Sequence, residues 1–487
     1  MVFNVKKLKE ILNKVELVNT EGNLNLNVLK VCFNSKEAIK DSLFVAIKGL
    51  DLDGNKFIDS AINKGAKVIV TEHIPNNFNK KITYVQVKDS RKSLSVISSN
   101  FYDNPSSKIK LIGVTGTNGK TTVVSLLFQL FQLMGYKCGM LSTIENKINN
   151  YSEQSTLTTL DALSINHFLH KMVQEKCEYC FMEVSSHSLS QDRVYFLDFN
   201  VAMFLNISHD HLDYHKNFNN YLLAKKSFFD LISTENTAFI NKDDDHFFDI
   251  IDKIKLKYYT FSFENDSDFK GKVIRRGLDY SLLNFSSIVF KTSLLGDFNF
   301  YNLLSVFCVA KYFVKDIQEI LKYFEFLEAP KGRMQRVKSK KDIIALVDYA
   351  HTPDALEKVL LTIKSFKKPT QSIITVFGCG GDRDKSKRFL MGKVADKLSD
   401  TTVVTSDNPR TENPSSIIED IKLGFQNSNK SSLFFINDRL LAIERACQLA
   451  KKDDIILIAG KGHEKYQEIN GVRHSFDDVK IIEKILK

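Results

Sequence analysis

Residues 113–122 form the stretch whose residue types and spacing most directly suggest chemistry, and they read Gly-Val-Thr-Gly-Thr-Asn-Gly-Lys-Thr-Thr. Glycines let backbone N–H groups approach phosphate oxygens, a lysine offers a positive charge to the outer phosphates, and a threonine hydroxyl can reach a bound metal. The strict phosphate-loop pattern has glycine at position 114, where this chain has valine. A strand predicted over 109–114 and a helix predicted over 121–134 flank the loop in the required order. The stretch therefore predicts a variant nucleotide-phosphate site rather than a plain glycine-rich turn.

Two further clusters carry carboxylates and imidazoles. Residues 183–187 read Glu-Val-Ser-Ser-His and follow an apolar strand predicted from 179. A carboxylate at a strand exit beside a phosphate loop suits a nucleotide-bound metal, although a buried carboxylate satisfied by nearby hydroxyls would give the same pattern. Residues 206–215 contain three histidines and two aspartates. No cysteine or H-E-x-x-H helix accompanies them, so magnesium is favoured over zinc, and a solvated polar turn is the alternative.

The elements predicted around these motifs indicate several α/β domains. In residues 1–105, strands at 42–47 and 67–71 flank a helix at 57–65, and the Asp-Asn-Pro-Ser-Ser turn at 103–107 marks a boundary. The next unit contains helices predicted at 160–174 and 302–312 and ends at a turn near 329–332.

From about 337 onward the chain repeats strand then helix, which predicts a doubly wound open sheet. The predicted strands are 343–347, 373–377, 401–405, 433–436 and 455–459. Functional residues in such sheets gather at the carboxyl ends of strands, and polar clusters follow Val347, Phe377, Thr405 and Ala459.

The composition narrows the class of function. The chain has 487 residues, 43% of them hydrophobic, which is enough for several packed cores. Its formal charge of +10 comes from 68 basic and 58 acidic residues that are interleaved, so we expect an anionic small substrate and no nucleic acid. Seven scattered cysteines without a secretory signal peptide indicate reduced thiols and a cytoplasmic protein. No apolar run approaches the roughly 20 residues that cross a bilayer, so no stable membrane association is expected.

Further motifs make the whole chain resemble the Mur ligases, and in particular the members that form the muramoyl tripeptide. Besides the three clusters above, they are Gly296-Asp297-Phe298-Asn299 with Asn302, Gly332-Arg333-Met334, Asp348-Tyr349-Ala350-His351-Thr352-Pro353, Gly378-Cys379-Gly380-Gly381-Asp382-Arg383-Asp384, Asp407-Asn408-Pro409-Arg410 and Gly460-Lys461-Gly462-His463-Glu464. The motifs occur in the family's order and extend over nearly the whole chain.

The resemblance implies an α/β fold of three domains. They are a UDP-substrate-binding domain at 1–105, a central phosphate-loop ATPase at 106–336, and a C-terminal Rossmann-like, doubly wound amino-acid-binding domain at 337–487.

The resemblance also implies an ATP-dependent amide-forming ligase of peptidoglycan synthesis. The γ-phosphate of ATP would pass to the terminal carboxylate of the substrate, and an amine would attack the resulting acyl phosphate. A free carboxylate is a poor electrophile whereas phosphate leaves readily, so amine attack needs mainly positioning and charge neutralisation. The implied cofactors are ATP, two Mg²⁺ ions and CO2 bound as a lysine carbamate. The implied partners are UDP-muramoyl-dipeptide and meso-diaminopimelate, and we expect a monomer.

Residue roles follow by matching positions to the family's motifs. The implied catalytic residues are Lys120, Glu183, His211 and Lys225, and the implied metal ligands are Thr121, Glu183, His211 and Lys225 as its carbamate. The implied ATP contacts are Gly116, Thr117, Asn118, Gly119, Lys120, Thr121, Thr122, Asn302, Arg333 and Asp348. The implied substrate contacts are Ser35, Thr158, Thr159, Ser185, Gln191, Arg193, Arg383, Asp407, Asn408, Pro409, Arg410, Gly460 and Glu464. On sequence alone, a solvated helical lysine is the alternative for Lys225.

Arg410 indicates which amino acid is added. meso-Diaminopimelate differs from lysine by a second carboxylate, and an arginine fork binds a carboxylate through two parallel charge-assisted bonds. In the family, lysine-adding members lack arginine at this position. A type I turn with a solvated arginine is the alternative.

The substrate-binding half departs from the family pattern at Asn34-Ser35-Lys36, Asn55 and Leu160, where the family usually has Asp-Ser-Arg, histidine and proline. The alternatives left open are the same reaction with L-lysine or lanthionine, a folylpolyglutamate-synthetase-like ligase, a non-catalytic nucleotide-binding regulator, and a plain phosphate-loop NTPase or kinase.

Overall fold

The computed structural model describes residues 5–49, 52–337, 339, 342–425 and 432–487. Its N-terminal strands are β1 (Lys6–Lys7), β2 (Leu17–Glu21), β3 (Asn27–Val28), β4 (Lys30–Cys32), β5 (Ser42–Val45), β6 (Ala66–Thr71) and β7 (Thr83–Val87), and its helices are α1 (Leu8–Ile11), α2 (Ile58–Asn63) and α3 (Ser90–Phe101). The main sheet has the order β2-β7-β6-β5-β4, parallel except for β2. Alternate residues of β5 and β6 enter two different cores, Val45 and Val70 on one face and Phe44 and Ile69 on the other.

A longer sheet follows, with the order β11-β10-β9-β12-β8-β13-β14-β15-β16-β17-β18. Its strands are β8 (Lys110–Thr115), β9 (Cys138–Leu141), β10 (Glu145–Ile148), β11 (Tyr151–Gln154), β12 (Tyr179–Glu183), β13 (Val201–Phe204), β14 (Thr237–Asn241), β15 (Lys257–Ser262), β16 (Phe269–Arg275), β17 (Ser281–Phe285) and β18 (Ile288–Thr292). Its helices are α4 (Lys120–Leu133), α5 (Ala162–Gln174), α6 (Ser186–Ser190), α7 (Leu212–His215), α8 (Phe218–Asp230), α9 (Phe247–Ile251), α10 (Asp297–Phe313) and α11 (Ile317–Leu321). β8 lies between β12 and β13 and is parallel to both, so the loops after these strands meet at one edge.

The C-terminal sheet has the order β19-β20-β24-β21-β22-β23 and is parallel except for β19. The elements are β19 (Gln335–Val337), β20 (Ile344–Asp348), α12 (Pro353–Phe366), β21 (Ile373–Phe377), α13 (Ser386–Leu398), β22 (Thr401–Thr405), α14 (Pro414–Lys422), β23 (Leu433–Ile436), α15 (Arg439–Leu449), β24 (Ile455–Ala459), the hairpin β25 (Tyr466–Ile469) and β26 (Val472–Ser475), and α16 (Asp478–Ile485). Leu346 and Leu457 enter the core under α12 to α14, while Val347 and Ile458 enter the core under α15 and α16. The predicted doubly wound sheet is therefore confirmed.

The predicted ends of the helices and strands are close to the observed ones, except at the start of one helix. The strands predicted at 373–377, 401–405, 433–436 and 455–459 have those bounds, whereas the helix predicted from 302 begins at Asp297. Gly296 precedes it with φ +92°, a conformation that glycine adopts without steric cost, so the helix starts directly after this residue. Among the described helices, none combines the length and apolar character needed to cross a membrane.

Candidate active site

The phosphate loop connects β8 to α4. Gly119 precedes α4 with φ +91°, and a Cβ at this position would lie 2.5 Å from Asn302 Oδ1, so only glycine fits. The loop therefore presents backbone N–H groups at the start of a 14-residue helix, where the helix dipole favours an anion. Asn206 braces the loop, since its carbonyl accepts a hydrogen bond from Thr117 N (2.9 Å) and its Oδ1 accepts one from Asn118 N (2.9 Å).

Lys120, at the start of α4, folds back over this loop. Its Nζ donates hydrogen bonds to the carbonyl oxygens of Gly116 (2.7 Å) and Thr117 (2.9 Å). Burial lowers the pKa of the Lys120 ammonium, while the carboxylates of Glu183 and Asp210 oppose that shift. The lysine is thus held at the place where phosphate charge would develop.

Glu183 ends β12 opposite Val114 of β8, which places its carboxylate beside the phosphate loop. The residue is 1% exposed; Oε1 accepts a hydrogen bond from Thr143 N (2.7 Å), whereas Oε2 is buried without a hydrogen-bond partner among the described residues. A buried carboxylate oxygen without a partner is costly unless a cation or donor completes it. Glu183 is therefore suited to a metal ion.

His211 lies at the N-cap of α7 with φ +55°. Burial lowers the pKa of its imidazole to about 4; the carboxylate of Asp210 opposes the shift, and the charges of Lys120 and Lys225 reinforce it. The ring is consequently neutral at physiological pH, the form that binds metals. Within the described residues, no three His, Cys, Asp or Glu side chains form a metal-binding group. Any metal here would need other ligands, such as the hydroxyl of Thr121 or a modified lysine.

Lys225 lies in the middle of α8 and is 1% exposed, so the solvated alternative is wrong. Its Nζ donates a hydrogen bond to Gly116 O (2.8 Å) and lies 4.8 Å from the ring centroid of Tyr221. Burial, reinforced by the charge of Lys120, lowers the pKa of the Lys225 amine well below its ordinary value. An amine of this kind loses its proton readily, which is the state that reacts with CO2.

The structure brings the predicted peptide contacts together beside Glu183. Thr159 Oγ1 donates a hydrogen bond to Glu183 O (2.8 Å) and accepts one from Ser185 N (3.0 Å). Arg193 donates from Nη1 to Thr159 O (2.9 Å) and from Nε to Gln191 Oε1 (2.9 Å). Thr158 joins this group because its Oγ1 lies 3.2 Å from Thr143 Oγ1. Ser35, at the start of the 3-10 helix Ser35–Glu37 in the N-terminal domain, has no hydrogen bond to this group among the described residues.

A cavity of about 580 Å³ adjoins the phosphate loop and extends to the C-terminal sheet. Among its lining residues are Asn118, Gly119, Thr122, Asn302, Arg333 and Asp348. The Arg333 guanidinium lies 4.6 Å from the ring centroid of Tyr349, and its Nη2 is 3.5 Å from Thr121 Oγ1. Asp348 Oδ2 accepts a hydrogen bond from Met334 N (2.6 Å), and burial raises the pKa of its carboxyl group. The cavity thus combines the predicted nucleotide contacts of both domains.

A second cluster forms where β22 and β24 end. Asn408 Nδ2 donates a hydrogen bond to Glu464 Oε2 (2.8 Å), and Asp407 Oδ2 is buried without a hydrogen-bond partner among the described residues. A Cβ at Gly460, which has φ +114°, would lie 2.6 Å from that oxygen, so glycine is what leaves room beside it. The cluster offers a carboxylate oxygen suited to an ammonium group.

Arg410 lies at the rim of this cluster, with φ +53°. Its Nη1 donates a hydrogen bond to Gly381 O (2.6 Å), and the carbonyl of Pro409 would lie 1.9 Å from a Cβ at Gly381. Arg383 is exposed, and its Cγ lies near the same glycine loop. The loops after β21 and β22 therefore pack tightly, with two arginines on their surface.

Sequence reasoning missed residues whose role depends on contacts between distant segments. Asp354 Oδ2, in the first turn of α12, accepts hydrogen bonds from Asn118 Nδ2 (2.8 Å) and Ser208 Oγ (3.0 Å), and so ties the C-terminal domain to the phosphate loop. No local pattern predicts this, because a carboxylate in a first helical turn is ordinary dipole pairing. Lys461, inside a recognised motif, is fully buried between Asn408 and Glu464.

Comparison with known proteins gives matches along most of the chain. Three family models match: "Mur ligase family, catalytic domain" at residues 30–102, "Mur ligase middle domain" at 114–310, and "Mur ligase, glutamate ligase domain" at 332–462. The UDP-N-acetylmuramoyl-L-alanyl-D-glutamate–2,6-diaminopimelate ligase of Cytophaga hutchinsonii is 46% identical over 481 residues, 99% of each chain. That of Bacteroides fragilis is 42% identical over 98% of this chain and 99% of its own. A solved structure of a UDP-N-acetylmuramoyl-L-alanyl-D-glutamate–2,6-diaminopimelate ligase matches with a TM-score of 0.70 and 31% identity, covering 99% of both chains.

Proposed function

The chain belongs to the Mur ligase family, and from that premise we infer that it is the ATP-dependent ligase that adds meso-diaminopimelate to UDP-N-acetylmuramoyl-L-alanyl-D-glutamate in peptidoglycan synthesis. The observation that carries the inference is the pairing of two clusters in one chain. A phosphate loop with an unpartnered buried carboxylate oxygen lies at one sheet edge, and an acidic pocket with an arginine at its rim lies at the edge of the next.

ATP would occupy the 580 Å³ cavity, with its phosphates on the loop that includes Gly116 and Thr117. Lys120 would then exchange its two carbonyl hydrogen bonds for phosphate oxygens. Arg333 would contact the nucleotide from the C-terminal side; the support is that it lines the same cavity as Asp348. Because these donors are fixed before the reaction, they stabilise the charge that develops as the γ-phosphate moves to the carboxylate.

Mg²⁺ would be held by Thr121, Glu183, His211 and Lys225 as a carbamate. The unpartnered Glu183 Oε2 and the neutral His211 ring fit a cation, and the low pKa of Lys225 supplies the neutral amine that CO2 requires. When bound, the metal neutralises phosphate charge. A carbamate would also convert Lys225 from a buried cation into an anionic ligand.

The two organic substrates would approach from opposite sides of this site. The muramoyl peptide would bind near Thr158, Thr159, Ser185, Gln191 and Arg193, and its UDP end would extend to the N-terminal domain that carries Ser35. The amino acid would bind where β22 and β24 end, with contacts from Arg383, Asp407, Asn408, Pro409, Arg410, Gly460 and Glu464. Holding the amine there orients it toward the acyl phosphate, which supplies much of the rate enhancement of such a step.

Several finer assignments are part of the same proposal. The domain boundaries would lie at 105/106, within the 3-10 helix Pro105–Lys108 that precedes β8, and at 336/337, within β19. The enzyme would act as a monomer in the cytoplasm, where thiols stay reduced; no disulfide is formed among the described residues.

The test is a ligase assay that offers ATP and UDP-muramoyl-dipeptide with meso-diaminopimelate, L-lysine or lanthionine in parallel. We expect phosphate release and tripeptide formation with meso-diaminopimelate. Phosphate release that does not depend on an amino acid would indicate a plain NTPase, and ATP binding without phosphate release would indicate a regulator. A faster reaction with lysine or lanthionine would change the assigned substrate.

A further inference from the structure

Lys461 is a buried cation that the reaction described above leaves without a role. It lies in the turn after β24, and its side chain is 0% exposed. Its Nζ donates hydrogen bonds to Asn408 Oδ1 (2.9 Å) and Glu464 Oε2 (3.1 Å). Asn408 follows β22 and Lys461 follows β24, and β21 lies between these two strands in the sheet. Lys461 therefore links two loops whose strands are not adjacent.

The surroundings of Lys461 determine which way the Asn408 amide points. Asn408 Oδ1 accepts hydrogen bonds from Lys461 Nζ and from Glu468 N (2.9 Å). An ammonium group and a backbone N–H can only donate, so the amide oxygen must face them. The amide nitrogen then faces Glu464, to whose Oε2 it donates.

The same contacts determine which oxygen of Glu464 remains available. Oε2 accepts from both Asn408 Nδ2 and Lys461 Nζ, whereas Oε1 has no hydrogen bond to any described residue. The Glu464 side chain is 16% exposed. Lys461 therefore balances the charge of a mostly buried carboxylate and binds it through Oε2, which leaves Oε1 without a hydrogen bond among the described residues.

We propose that Lys461 is a positioning residue for the amino-acid substrate: it fixes the Asn408 amide and the Glu464 carboxylate and does not touch the substrate itself. The proposal rests on the proposed function, because it takes this cluster as the amino-acid site. From the local sequence Gly460-Lys461-Gly462, Lys461 would be expected to be an exposed residue of a glycine turn. Its effect should appear in the affinity for the amino acid and not in the affinity for the nucleotide.

The first test is Lys461→Met in the full-length enzyme. Small displacements of positioning groups cost on the order of 100-fold, so we expect the KM for meso-diaminopimelate to rise roughly 10- to 100-fold. The KM values for ATP and UDP-muramoyl-dipeptide should change less than about twofold, because the hydrogen bonds of Lys461 Nζ among the described residues go to Asn408 and Glu464, which belong to neither of those two sites. Lys452→Met is the matched control, since the Lys452 side chain is 74% exposed, and it should leave all three KM values unchanged.

The second test is a double-mutant cycle. It remains informative if Lys461→Met alone folds poorly, because the double variant has no unbalanced buried charge. Lys461→Met leaves Glu464 as an unbalanced buried charge, whereas Lys461→Met with Glu464→Gln removes both charges. If Lys461 acts through Glu464, the double variant should have a KM for meso-diaminopimelate close to that of Glu464→Gln alone.

Three results would overturn the proposal while leaving the proposed function intact: an unchanged KM for meso-diaminopimelate in Lys461→Met, an equal rise in all three KM values, or independent multiplicative effects in the cycle. A wild-type enzyme that does not use meso-diaminopimelate at all would instead reject the proposed function.

Discussion

Replacing Arg410 with alanine should erase the preference for meso-diaminopimelate over L-lysine. Among the described residues, the Arg410 guanidinium forms one hydrogen bond, from Nη1 to Gly381 O (2.6 Å). Its Nε and Nη2 have no hydrogen bond to any described residue, and these two groups form the parallel pair of donors that matches a carboxylate. Lysine has no second carboxylate, so its binding should not depend on this contact.

The size of the effect follows from the chemistry of that pair. Truncating one partner of a charged, hydrogen-bonded contact costs about 2–5 kcal/mol, and each 1.4 kcal/mol corresponds to about tenfold. Arg410 is only half-buried, so solvent screening places the loss toward the lower end, roughly 30- to 300-fold. Alanine has a Cβ as arginine does, so the positive φ of +53° adds no new backbone strain. The main-chain hydrogen bond from Arg410 N to Glu468 O (3.0 Å) is also retained.

The assay is competition between the two amino acids, read as the ratio of their kcat/KM values. Arg410→Lys keeps the charge without the fork and should give an intermediate ratio, because a lysine binds a carboxylate as a point charge. Arg275→Ala, at an exposed position of the central sheet, is the control and should keep the wild-type ratio. Our reasoning would be refuted if Arg410→Ala still discriminates, and the lysine-adding alternative would replace it if the wild type prefers lysine.

Four further predictions concern the nucleotide side and stability. Lys120→Ala should lower ATP-dependent phosphate release at least about 100-fold, because a fixed cation at the phosphates is lost; near-normal turnover would exclude this loop as the ATP site. Lys225→Ala should be nearly inactive and partly rescued by added acetate, which can replace a carbamate; a fully active variant would end that assignment. Asp354→Asn should raise the KM for ATP a few-fold, because the negative charge that accepts the hydrogen bond from Asn118 Nδ2 is lost. An unchanged KM for ATP would show that this contact does not affect nucleotide binding. Burial lowers the pKa of the His351 imidazole to about 4 and that of the His463 imidazole to about 3, whereas an exposed imidazole in the unfolded chain has a pKa of about 6.5. Below about pH 6.5 the unfolded chain therefore binds more protons than the folded chain, and the folded state loses stability. The melting temperature should thus fall as the pH drops from 7 toward 4, and less steeply in His351→Gln; an equally steep fall in that variant would contradict the assignment.

The fold could be predicted from the sequence where short-range patterns decide it. β21, β22 and β24 are short runs rich in the strand-favouring residues Ile, Val and Thr and are bounded by turn residues, so local sequence alone predicts their bounds. The glycine loop before α4 is similarly local, because strand, loop and helix are contiguous. The prediction starts α10 five residues late, because the N-cap and first turn of this helix contain Gly296, Asp297 and Asn299, which are residues typical of loops.

The burial of Lys225 shows what sequence could not give. Lys225 and Lys226 are adjacent in α8, and nothing in their local pattern distinguishes them. One helical step separates their directions by about 100°. Lys226 Nζ reaches Asp249 O at the surface, whereas Lys225 Nζ reaches Gly116 O, which is 109 residues away in sequence. Only the packing of α8 against the phosphate loop makes Lys225 a buried amine with a lowered pKa.

The contact between Asp354 and the phosphate loop suggests why ATP and amino acid are bound by different domains of one chain. Asp354 belongs to the domain proposed to hold the amino acid, and its Oδ2 binds Asn118 and Ser208 of the central domain. Arg333 reaches Thr121 Oγ1 across the same cavity. An acyl phosphate must be kept from water until an amine arrives, and a closed cavity is the simplest way to do so. If the groups that surround the nucleotide also hold the domains together, the amine site is brought to the reacting carboxylate by the same contacts that exclude water. The coupling therefore depends on pairs of residues that the sequence separates by as many as 236 positions.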